Sequence, residues 1–581
     1  MYHTLIHHPS TKNQPIYNNS LIQDSSMKKT ILRLLASVCL LMGWVLNAMA
    51  QSVGPTSALM PLPNNIQLQA SQPDFQWTPQ TVFRTSLPAD AFCVGELQRI
   101  WKERMGVELP LADAAAKKAK SVVELNLTST IEGPEHYRLE VSKQAVRLSA
   151  STEAGLFYAL QTLDQVLLGD VCRTSRRQVA ALCIDDAPRF ARRALMIDPS
   201  RHFLPVNDVK FYIDQMARYK YNVLQLHLTD DQGWRIEIKQ HPNLTRIGAF
   251  RNPKGGDQGP DNGFYTQEQL KDLIAYAAQR HVEIVPELDI PGHTVAVLAA
   301  YPELGCSHTQ GEPKEMGKTV NQMLCAHNPQ VYTLYDDIIR EVAALFPSSQ
   351  IHLGGDEAVI EQNWGKCTHC QALMKELGYQ QEAQLMNYFF DRMLASVRKY
   401  GKQPVLWCEL DNIYPPANGY LFDYPKDVTL VTWRNGLTPK CIELTRQHGN
   451  PLLMAPGEYA YLDYPQLKGD LPEFNNWGMP VTTLEKCYEF DPGYGLPAAD
   501  QAHIVGVMGT LWGEAMKDIH RVTYMTYPRG FALAEAAWTQ MEHRSWPSFC
   551  ERMYPNLLNL MKHGVSVRVP FEVVKRQPAE K

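Results

Sequence analysis

The feature that most constrains this chain is a regular alternation of short apolar runs and amphipathic stretches that begins after Pro188. Apolar runs of strand length joined by segments of helical period are typical of a parallel sheet with helical crossovers. The predicted strands are residues 194–197, 222–228, 283–286, 350–353, 405–407, 429–433, 452–455 and 504–511. The predicted helices are residues 206–219, 266–280, 329–346, 382–400, 437–448 and 524–539. So many strands over a span of this length predict an α/β protein with a (β/α)8 TIM barrel, since a doubly wound sheet rarely needs them all.

The region before the barrel has a different pattern. Residues 51–187 contain short β-like runs, such as residues 122–127 and 137–141, around one helical stretch at residues 152–168. This mixture predicts a small α+β domain. The barrel domain is then expected to span residues 188–581, with a short tail after the helix that ends near Thr539.

Residues 1–50 are interpreted as an upstream extension followed by a signal peptide at residues 27–50. Met27-Lys28-Lys29 supplies a charged start, residues 31–45 an apolar middle, and Ala48-Met49-Ala50 a small-residue exit. We expect cleavage after Ala50 and export to the periplasm or beyond. The apolar stretch is short and interrupted for a spanning helix and no second one follows, so no integral membrane segment is expected in the mature chain.

Composition argues against one class of partner. The net charge is -5, and 45% of the residues are hydrophobic. These values are typical of a globular protein that has no electrostatic basis for binding nucleic acid.

The twelve cysteines are spread thinly over the chain, and Cys39 falls within the predicted signal peptide. Cys367 and Cys370 have CxxC spacing, but a zinc site needs a second pair, and none occurs at similar spacing. A local disulfide or plain thiols are therefore favoured over a metal. Cys306 and Cys325 bracket a polar loop that a bridge could close.

Polar and aromatic residues follow almost every predicted strand, at the end of a barrel where reactive groups gather. The most informative case is an apolar run that ends in Gly354-Gly355 and is followed at once by Asp356 and Glu357. Adjacent carboxylates repel, so their pairing at a strand end is costly unless a reaction or a bound cation uses them. The other strand-end residues are Asp198, Arg201, His202, Phe203, His227, Asp230, Asp231, Glu287, Asp289, His293, Trp407, Glu409, Trp433, Arg434, Glu458, Tyr461, Asp463, Trp512 and Glu514.

Carboxylates interleaved with tryptophans favour a sugar ligand, because a pyranose ring has an apolar face for stacking and hydroxyls for hydrogen bonds. A metal centre is the alternative, since His227, Asp230, Asp289 and His293 are suitable ligand types. The spacing of Asp289 and His293 fits no common ligand motif. No metal and no other cofactor is therefore predicted.

Four motifs together resemble glycoside hydrolase family 20, the exo-acting β-N-acetylhexosaminidases. They are DPSRHF at residues 198–203, HLTDDQGWR at 227–235, PELDIPGH at 286–293 and HLGGDE at 352–357. In the first domain, GPEHY at residues 133–137 and EAGLFYAL at 153–160 resemble the small α+β domain that precedes the barrel in this family. The resemblance covers nearly the whole chain after residue 50.

The resemblance implies that the protein removes terminal, non-reducing, β-linked N-acetylglucosamine or N-acetylgalactosamine from glycans. It also implies a retaining mechanism in which the acetamido group of the substrate attacks the anomeric carbon and forms an oxazolinium intermediate. In this scheme Glu357 is the general acid and later the base, and Asp356 orients the acetamide N–H and stabilises the growing positive charge.

The resemblance assigns supporting residues as well. Tyr461 hydrogen-bonds the acetamide oxygen, and His293 forms a relay beside Glu357 with either Asp230 or Asp231. The residues implied in substrate binding are Arg201, Asp463 and Glu514 at the ring hydroxyls, Trp407, Trp433 and Trp512 as aromatic walls, and Asp231 and Asp289 beside them.

Two alternatives come from other classes of protein. A glycan-binding protein without catalysis would use the same aromatic surface, and a metal-dependent hydrolase would use the histidine and aspartate positions. The presence of both Asp356 and Glu357 argues for catalysis, because a binding protein does not need the acid to keep its fold.

Overall fold

The computed structural model describes residues 54–112, 121–250, 262–309, 322–409, 423–469 and 479–574. The predicted signal peptide at residues 27–50, and the extension before it, lie outside the described residues. Within the described ranges, no helix is both long enough and apolar enough to cross a bilayer.

The first part of the chain forms a mixed sheet layer. Its strands are β1 Ile66–Leu68, β2 Phe75–Gln76, β3 Thr81–Thr85, β4 Ser121–Leu127, β5 Tyr137–Val141, β6 Ala145–Ala150, β7 Gln178–Val179 and β8 Leu182–Asp186. Its helices are α1 Phe92–Met105, α2 Glu153–Gly169 and α3 Val171–Thr174. Six strands pair in the order β1-β8-β5-β6-β4-β3, and β2 pairs with β7. Alternate residues of β5 are buried, so this sheet has one covered face, against which α2 packs.

The second part is a closed parallel barrel, which confirms the predicted (β/α)8 fold. In chain order the strands are β9 Arg192–Ile197, β10 Val223–His227, β11 Thr229–Asp230, β12 Gly233–Trp234, β13 Glu283–Ile290, β14 Gln350–Gly354, β15 Gln403–Trp407, β16 Thr429–Val431, β17 Leu452–Met454 and β18 Ile504–Leu511. Strands β11 and β12 form a small antiparallel ribbon outside the barrel. The other strands close the barrel in chain order, with β18 pairing back to β9.

The helices of this part lie between and after the strands. They are α4 Val206–Arg218, α5 Asn243–Arg246, α6 Gln267–Ala278, α7 Val295–Ala300, α8 Pro329–Leu345, α9 Ile360–Asn363, α10 Thr368–Glu376, α11 Leu385–Lys399, α12 Thr438–His448, α13 Gly457–Ala460, α14 Leu484–Glu489, α15 Ile519–Thr526, α16 Arg529–Trp538, α17 Trp546–Lys562 and α18 Phe571–Val574. The single helix predicted for residues 524–539 is instead divided between α15 and α16. Pro528 lies at the break, because proline has no N–H for a helical hydrogen bond and disfavours helical backbone in the residue before it.

The barrel interior is filled by side chains. The cluster consists of Ala194, Met196, Val223, Val285, Val405, Trp407, Val431, Leu453, Ala455 and Met508. Trp407, the last residue of β15, is 1% exposed. Because the interior is packed, a ligand has room only at the carboxyl ends of the strands.

A buried arginine ties the sheet layer to the amino-terminal end of the barrel. Arg193 of β9 donates hydrogen bonds to the two carboxylate oxygens of Glu135, at 2.7 and 2.8 Å. Its guanidinium also lies over the rings of Tyr158 and Trp538, at 5.4 and 4.9 Å from their centroids. Arg193 is 1% exposed. Loss of Glu135 would therefore leave an uncompensated buried charge.

The cysteines of the described residues are all free thiols. Cys306 and Cys325 do not bridge each other, and no local disulfide joins Cys367 to Cys370. No second pair occurs at CxxC spacing, but the fold brings Cys306 and Cys325 to Cys367 and Cys370, and the sulfurs of all four lie within 4.8 Å of one another. Spacing along the chain could not reveal this pair, since it comes from a different loop.

Candidate active site

The two adjacent acids stand on a strained turn at the end of β14. Gly354 and Gly355 have φ values of 66° and 99°, and Glu357 has a φ of 51°. A Cβ on Gly354 would lie 1.7 Å from Oδ1 of Asp289, so only glycine fits. The N–H of Gly355 donates to the same Oδ1 at 3.2 Å. Asp289 thus holds the turn that carries Asp356 and Glu357.

His293 connects the two acids. Its Nε2 lies 3.8 Å from Oδ2 of Asp356 and 3.7 Å from Oε2 of Glu357. The side chain of Asp356 is 8% exposed, whereas that of Glu357 is 38% exposed. The imidazole of His293 therefore lies close to both a buried acid, Asp356, and an accessible acid, Glu357.

The charges around His293 are arranged to keep it positive. Burial alone would lower the pKa of His293, but Asp230 and neighbouring carboxylates raise it well above its usual value. The Nδ1 of His293 lies 3.3 Å from Oδ1 of Asp230. Burial raises the pKa of Asp356 to about 6; His293 opposes this rise and Glu357 adds to it. An imidazolium beside Asp356 favours the ionised carboxylate.

The structure distinguishes the adjacent aspartates Asp230 and Asp231. Asp230 contacts His293, while Oδ1 of Asp231 accepts a hydrogen bond from the backbone N–H of Val295 at 3.1 Å. Burial opposes ionisation of Asp230, but Arg201 and His293 hold its pKa well below the usual value. Burial and the neighbouring Asp230 raise the pKa of Asp231 to about 7. Asp230 is thus the ionised partner of His293.

Arg201, which follows β9, is fixed by three neighbours. Its Nε donates to Oε1 of Gln232 at 3.0 Å, and its Nη1 donates to Oδ2 of Asp198 at 2.8 Å. Its Nη2 lies 2.8 Å from Oδ2 of Asp230. The guanidinium also lies 5.3 Å from the ring centroid of Trp512. These contacts place a rigid cation at the carboxyl end of the barrel.

A buried network positions Trp407. The indole Nε1 of Trp407 donates to Oε1 of Glu287 at 2.8 Å, and Gln225 donates to Oε2 at the same distance. His227 Nδ1 lies 3.0 Å from Oε2 of Glu287, and its Nε2 lies 2.8 Å from Oδ2 of Asp230. Glu287 therefore sets the orientation of Trp407, and His227 connects Glu287 to Asp230, the ionised partner of His293.

Aromatic rings line this end of the barrel. Trp512 lies 5.6 Å from Trp407 and 6.4 Å from Tyr461, measured between ring centroids. Trp433 packs against the barrel interior, and the guanidinium of Arg434 lies 4.2 Å from its ring centroid. The rings form a surface on which a sugar can stack.

Several buried polar atoms at this face have no hydrogen-bond partner among the described residues. They are Oδ1 of Asp356, the hydroxyl of Tyr461, Oδ1 of Asp463 and Nε1 of Trp433. Buried polar atoms are costly to leave unpaired, so a group of them at this face suits a ligand with matching donors and acceptors.

Asp463 and Glu514 form a second acidic pair near Arg201. Burial raises the pKa of Asp463 well above its usual value, and Glu514 adds to the rise. Burial also raises the pKa of Glu514, while Arg201 opposes this shift. Two carboxyls and a guanidinium in one place suit recognition of hydroxyl groups, which both donate and accept.

Glu409 and Arg434 support the acid, although no role was assigned to them from the sequence. The N–H of Glu357 donates to Oε2 of Glu409 at 3.3 Å. Arg434 donates to both carboxylate oxygens of Glu409, at 2.8 and 3.1 Å. Their sequence signal was only their position after β15 and β16, because the contact with Glu357 joins three separate strands.

All site residues predicted from the sequence lie at or just after the carboxyl ends of barrel strands. They are Arg201 after β9, Asp230 and Asp231 after β10, Asp289 and His293 at β13, Asp356 and Glu357 after β14, Trp407 at β15, Trp433 after β16, Tyr461 and Asp463 after β17, and Trp512 and Glu514 after β18. Oδ1 of Asp231 accepts a hydrogen bond from the N–H of Val295, and Oδ1 of Asp289 accepts one from the N–H of Gly355. These two aspartates therefore hold the backbone segments that follow β13 and β14.

Potential metal ligands also occur in this group. One oxygen or nitrogen each from His227, Asp230 and Asp289 lie within 4.8 Å of one another. However, Asp230 already pairs with the guanidinium of Arg201, and His227 with Asp230 and Glu287. Two of these three side chains are therefore already engaged in ion pairs and contacts with other residues of the site.

A closed (β/α)8 barrel that carries paired acids beside tryptophans at the carboxyl ends of its strands defines the class of (β/α)8 glycosidases. The family model "Glycosyl hydrolase family 20, catalytic domain" matches residues 190–541, and "Glycosyl hydrolase family 20, domain 2" matches residues 56–187. The chain belongs to glycosyl hydrolase family 20, as its motifs predicted, and is a glycosidase, a β-N-acetylhexosaminidase.

The chain is similar to curated relatives and to solved structures over most of its length. A "Beta-hexosaminidase" of Akkermansia muciniphila is 37% identical, over 77% of this chain and 88% of the relative. A "Beta-N-acetylhexosaminidase" of Cellulomonas fimi is 33% identical, over 86% of this chain and 93% of the relative. The crystal structure of an exo β-N-acetylglucosaminidase from Vibrio harveyi, in complex with N-acetylglucosamine, has a TM-score of 0.76 and 30% identity, covering 90% of this chain and 79% of that one.

Proposed function

We propose that the protein removes terminal, non-reducing, β-linked N-acetylglucosamine or N-acetylgalactosamine from glycans, with the acetamido oxygen of the substrate as the nucleophile. The observation that carries this proposal is the contrast between the two acids. Asp356 is buried, with Oδ1 unpaired among the described residues, while Glu357 is accessible. A buried acceptor suits an acetamide N–H, and an accessible acid suits proton exchange with a leaving group and with water.

In the first step, Glu357 donates its proton to the glycosidic oxygen as the acetamido carbonyl oxygen bonds to the anomeric carbon. The glycosidic bond breaks, the aglycone leaves as an alcohol, and the sugar becomes an oxazolinium ion. Asp356 accepts a hydrogen bond from the acetamide N–H and stabilises its positive charge. In the second step, Glu357 takes a proton from water, which attacks the anomeric carbon, so the configuration is retained.

The remaining site residues bind and orient the sugar. The hydroxyl of Tyr461 donates to the acetamido oxygen, which is the orientation needed for its attack. Trp407, Trp433 and Trp512 enclose the acetamide and the ring. Arg201 uses N–H groups on Nε, Nη1 and Nη2 for protein contacts. A guanidinium has five N–H donors, so others remain for ring hydroxyls.

His293 and Asp230 support the proton transfers. An imidazolium 3.7 Å from Oε2 of Glu357 stabilises the carboxylate that forms when Glu357 gives up its proton. It also stabilises the ionised form of Asp356, which the first step requires. The ionised Asp230 keeps His293 positive during both steps.

Export is part of the proposal. Residues 27–50 have the order of a signal peptide, and glycans are abundant outside the cytoplasm. Expression of the full chain in a Gram-negative host, followed by fractionation and amino-terminal sequencing, tests this. We expect a processed protein beginning near Gln51 in the periplasmic or extracellular fraction; an unprocessed cytoplasmic protein would contradict export.

The assay for the activity compares Glu357→Gln with wild type on two substrates. For a disaccharide of β-linked N-acetylglucosamine, whose leaving group needs protonation, we expect kcat to fall by about 10²–10⁴-fold. For the 4-nitrophenyl glycoside, whose leaving group needs little protonation, the fall should be smaller.

Glu361→Gln, which changes an exposed carboxylate in α9, is the matched control and should keep wild-type rates. Equal losses for both substrates would contradict the acid role of Glu357. Unchanged rates in Glu357→Gln would remove the assignment of Glu357, and absence of hydrolysis in wild type would favour a glycan-binding protein without catalysis.

A further inference from the structure

Four cysteines from the connections that follow β13 and β14 converge in space. Cys306 and Cys325 lie between β13 and α8, and Cys367 and Cys370 lie at the start of α10. All four are buried, and three of them are 0% exposed. Each sulfur lies within 4.8 Å of the other three. The catalytic steps proposed above use none of them.

The distances fit ligands of one ion and do not fit disulfides. All four cysteines are free, and the sulfurs of Cys325 and Cys370 are 3.5 Å apart. A disulfide needs about 2.05 Å between sulfurs. Four thiolates at about 2.3 Å from a tetrahedral zinc ion are roughly 3.8 Å apart, which agrees with the observed cluster.

The surroundings of the cluster favour negative sulfur. Cys367 is the residue that precedes the first turn of α10, so its sulfur lies at the positive end of a helix dipole. The hydroxyl of Ser307 lies 3.6 Å from this sulfur. Such contacts stabilise thiolates and orient them toward a metal ion.

We propose that Cys306, Cys325, Cys367 and Cys370 bind one Zn²⁺ as a structural tetrathiolate site. Four S–H groups give four Zn–S bonds and release four protons, with no change of oxidation state. A single ion fits better than an iron–sulfur cluster, because a cluster must place several iron and sulfide atoms between ligands that here lie within 4.8 Å of one another.

The ion joins the connection after β13 to the connection after β14. The N–H of Leu324 donates to the carbonyl of Pro291 at 3.0 Å, and the indole of Trp364 donates to the carbonyl of Leu324 at 2.9 Å. Pro291 is two residues before His293, and Trp364 directly follows α9, the short helix after Glu357. The zinc site is therefore a positioning element. Its presence does not depend on whether the proposed hydrolysis is correct.

The test measures metal in the purified full chain, expressed with zinc in the medium and desalted in metal-free buffer. Wild type should contain about one zinc per chain, released only when a mercurial reagent titrates four thiols. Cys367→Ser/Cys370→Ser should contain less than roughly a tenth of that amount. Cys487→Ser, which changes a buried cysteine outside the cluster, is the control and should keep wild-type zinc.

A cobalt experiment covers the case in which the double variant does not fold. Wild type refolded with Co²⁺ should show the visible bands of tetrahedral cobalt with thiolate ligands, and Zn²⁺ should abolish them. Absence of these bands, or wild-type zinc in the double variant, would overturn the proposal. Iron in place of zinc, or disulfides among the four cysteines in mass spectra taken without reductant, would also overturn it.

Discussion

Replacing Asp356 by asparagine removes a charge and leaves the shape of the side chain. Asparagine can still accept a hydrogen bond from the acetamide, but it cannot stabilise the positive charge that grows as the oxazolinium forms. Loss of one preorganised group that stabilises transition-state charge typically reduces kcat by about 10²–10³-fold, or about 2.7–4 kcal/mol. The acetamide of the bound substrate is neutral, so KM should change by less than about threefold.

The same substitution removes a titration. Burial raises the pKa of Asp356 to about 6, and the mechanism uses the ionised form. In wild type, kcat/KM should therefore fall as the pH decreases through about 6, because a growing fraction of Asp356 is protonated. In Asp356→Asn this acidic limb should be absent. The reduced kcat/KM should then be the same above and below a pH of about 6.

Initial rates with the 4-nitrophenyl glycoside of N-acetylglucosamine, from about pH 4 to about pH 8, measure both effects. Asp272→Asn, an exposed carboxylate on α6, is the control and should stay within about twofold of wild type. If Asp356→Asn keeps more than about a third of wild-type kcat, or keeps the acidic limb, the assigned role of Asp356 is wrong.

Two further substitutions test the fold and the turn separately. Glu135→Ala leaves the buried Arg193 unpaired and should lower the free energy of unfolding by about 3–5 kcal/mol, measured by urea denaturation. Gly354→Ala places a Cβ 1.7 Å from Oδ1 of Asp289 and should lower both Tm and kcat, the latter by at least about tenfold. Gly401→Ala has a similar φ of 73° but no atom within 4 Å, so it should lower stability by only about 1 kcal/mol and leave kcat unchanged.

These two predictions have clear points of failure. Glu124→Ala breaks a partly exposed pair with Arg147 and should cost less than about 1 kcal/mol. A cost as large as that of Glu135→Ala would refute the argument from burial. Equal effects of Gly354→Ala and Gly401→Ala would show that strained backbone alone, and no contact with Asp289, explains the glycine.

Local patterns were sufficient to predict the barrel. Each barrel strand is a short apolar run, and amphipathic stretches separate them, so eight strands and their order followed from the chain. The predicted helix over residues 524–539 failed at Pro528, where the backbone effect of one residue outweighs the helical pattern. Helix α17 was missed, although Phe549, Met553, Leu557 and Leu560 have helical spacing and are buried.

The site residues were found because strand ends of a barrel share one face. What the sequence could not supply were contacts between strands. Nothing in the spacing places Glu409 against the N–H of Glu357, or separates Asp230 from Asp231, because each depends on three-dimensional neighbours. The cysteine cluster was missed for the same reason, since two of its members lie on another loop.

The identity of the nucleophile is tested most directly by a series of substrates that differ only in the acetamido group. Successive fluorine atoms on the acetyl methyl group withdraw electrons from the carbonyl oxygen. They change the size of the acetyl group little. If this oxygen attacks the anomeric carbon, kcat/KM should fall steeply from the acetyl to the trifluoroacetyl substrate, by about two orders of magnitude or more. A constant kcat/KM across the series, or comparable turnover of the 2-hydroxy glucoside, would contradict attack by the substrate.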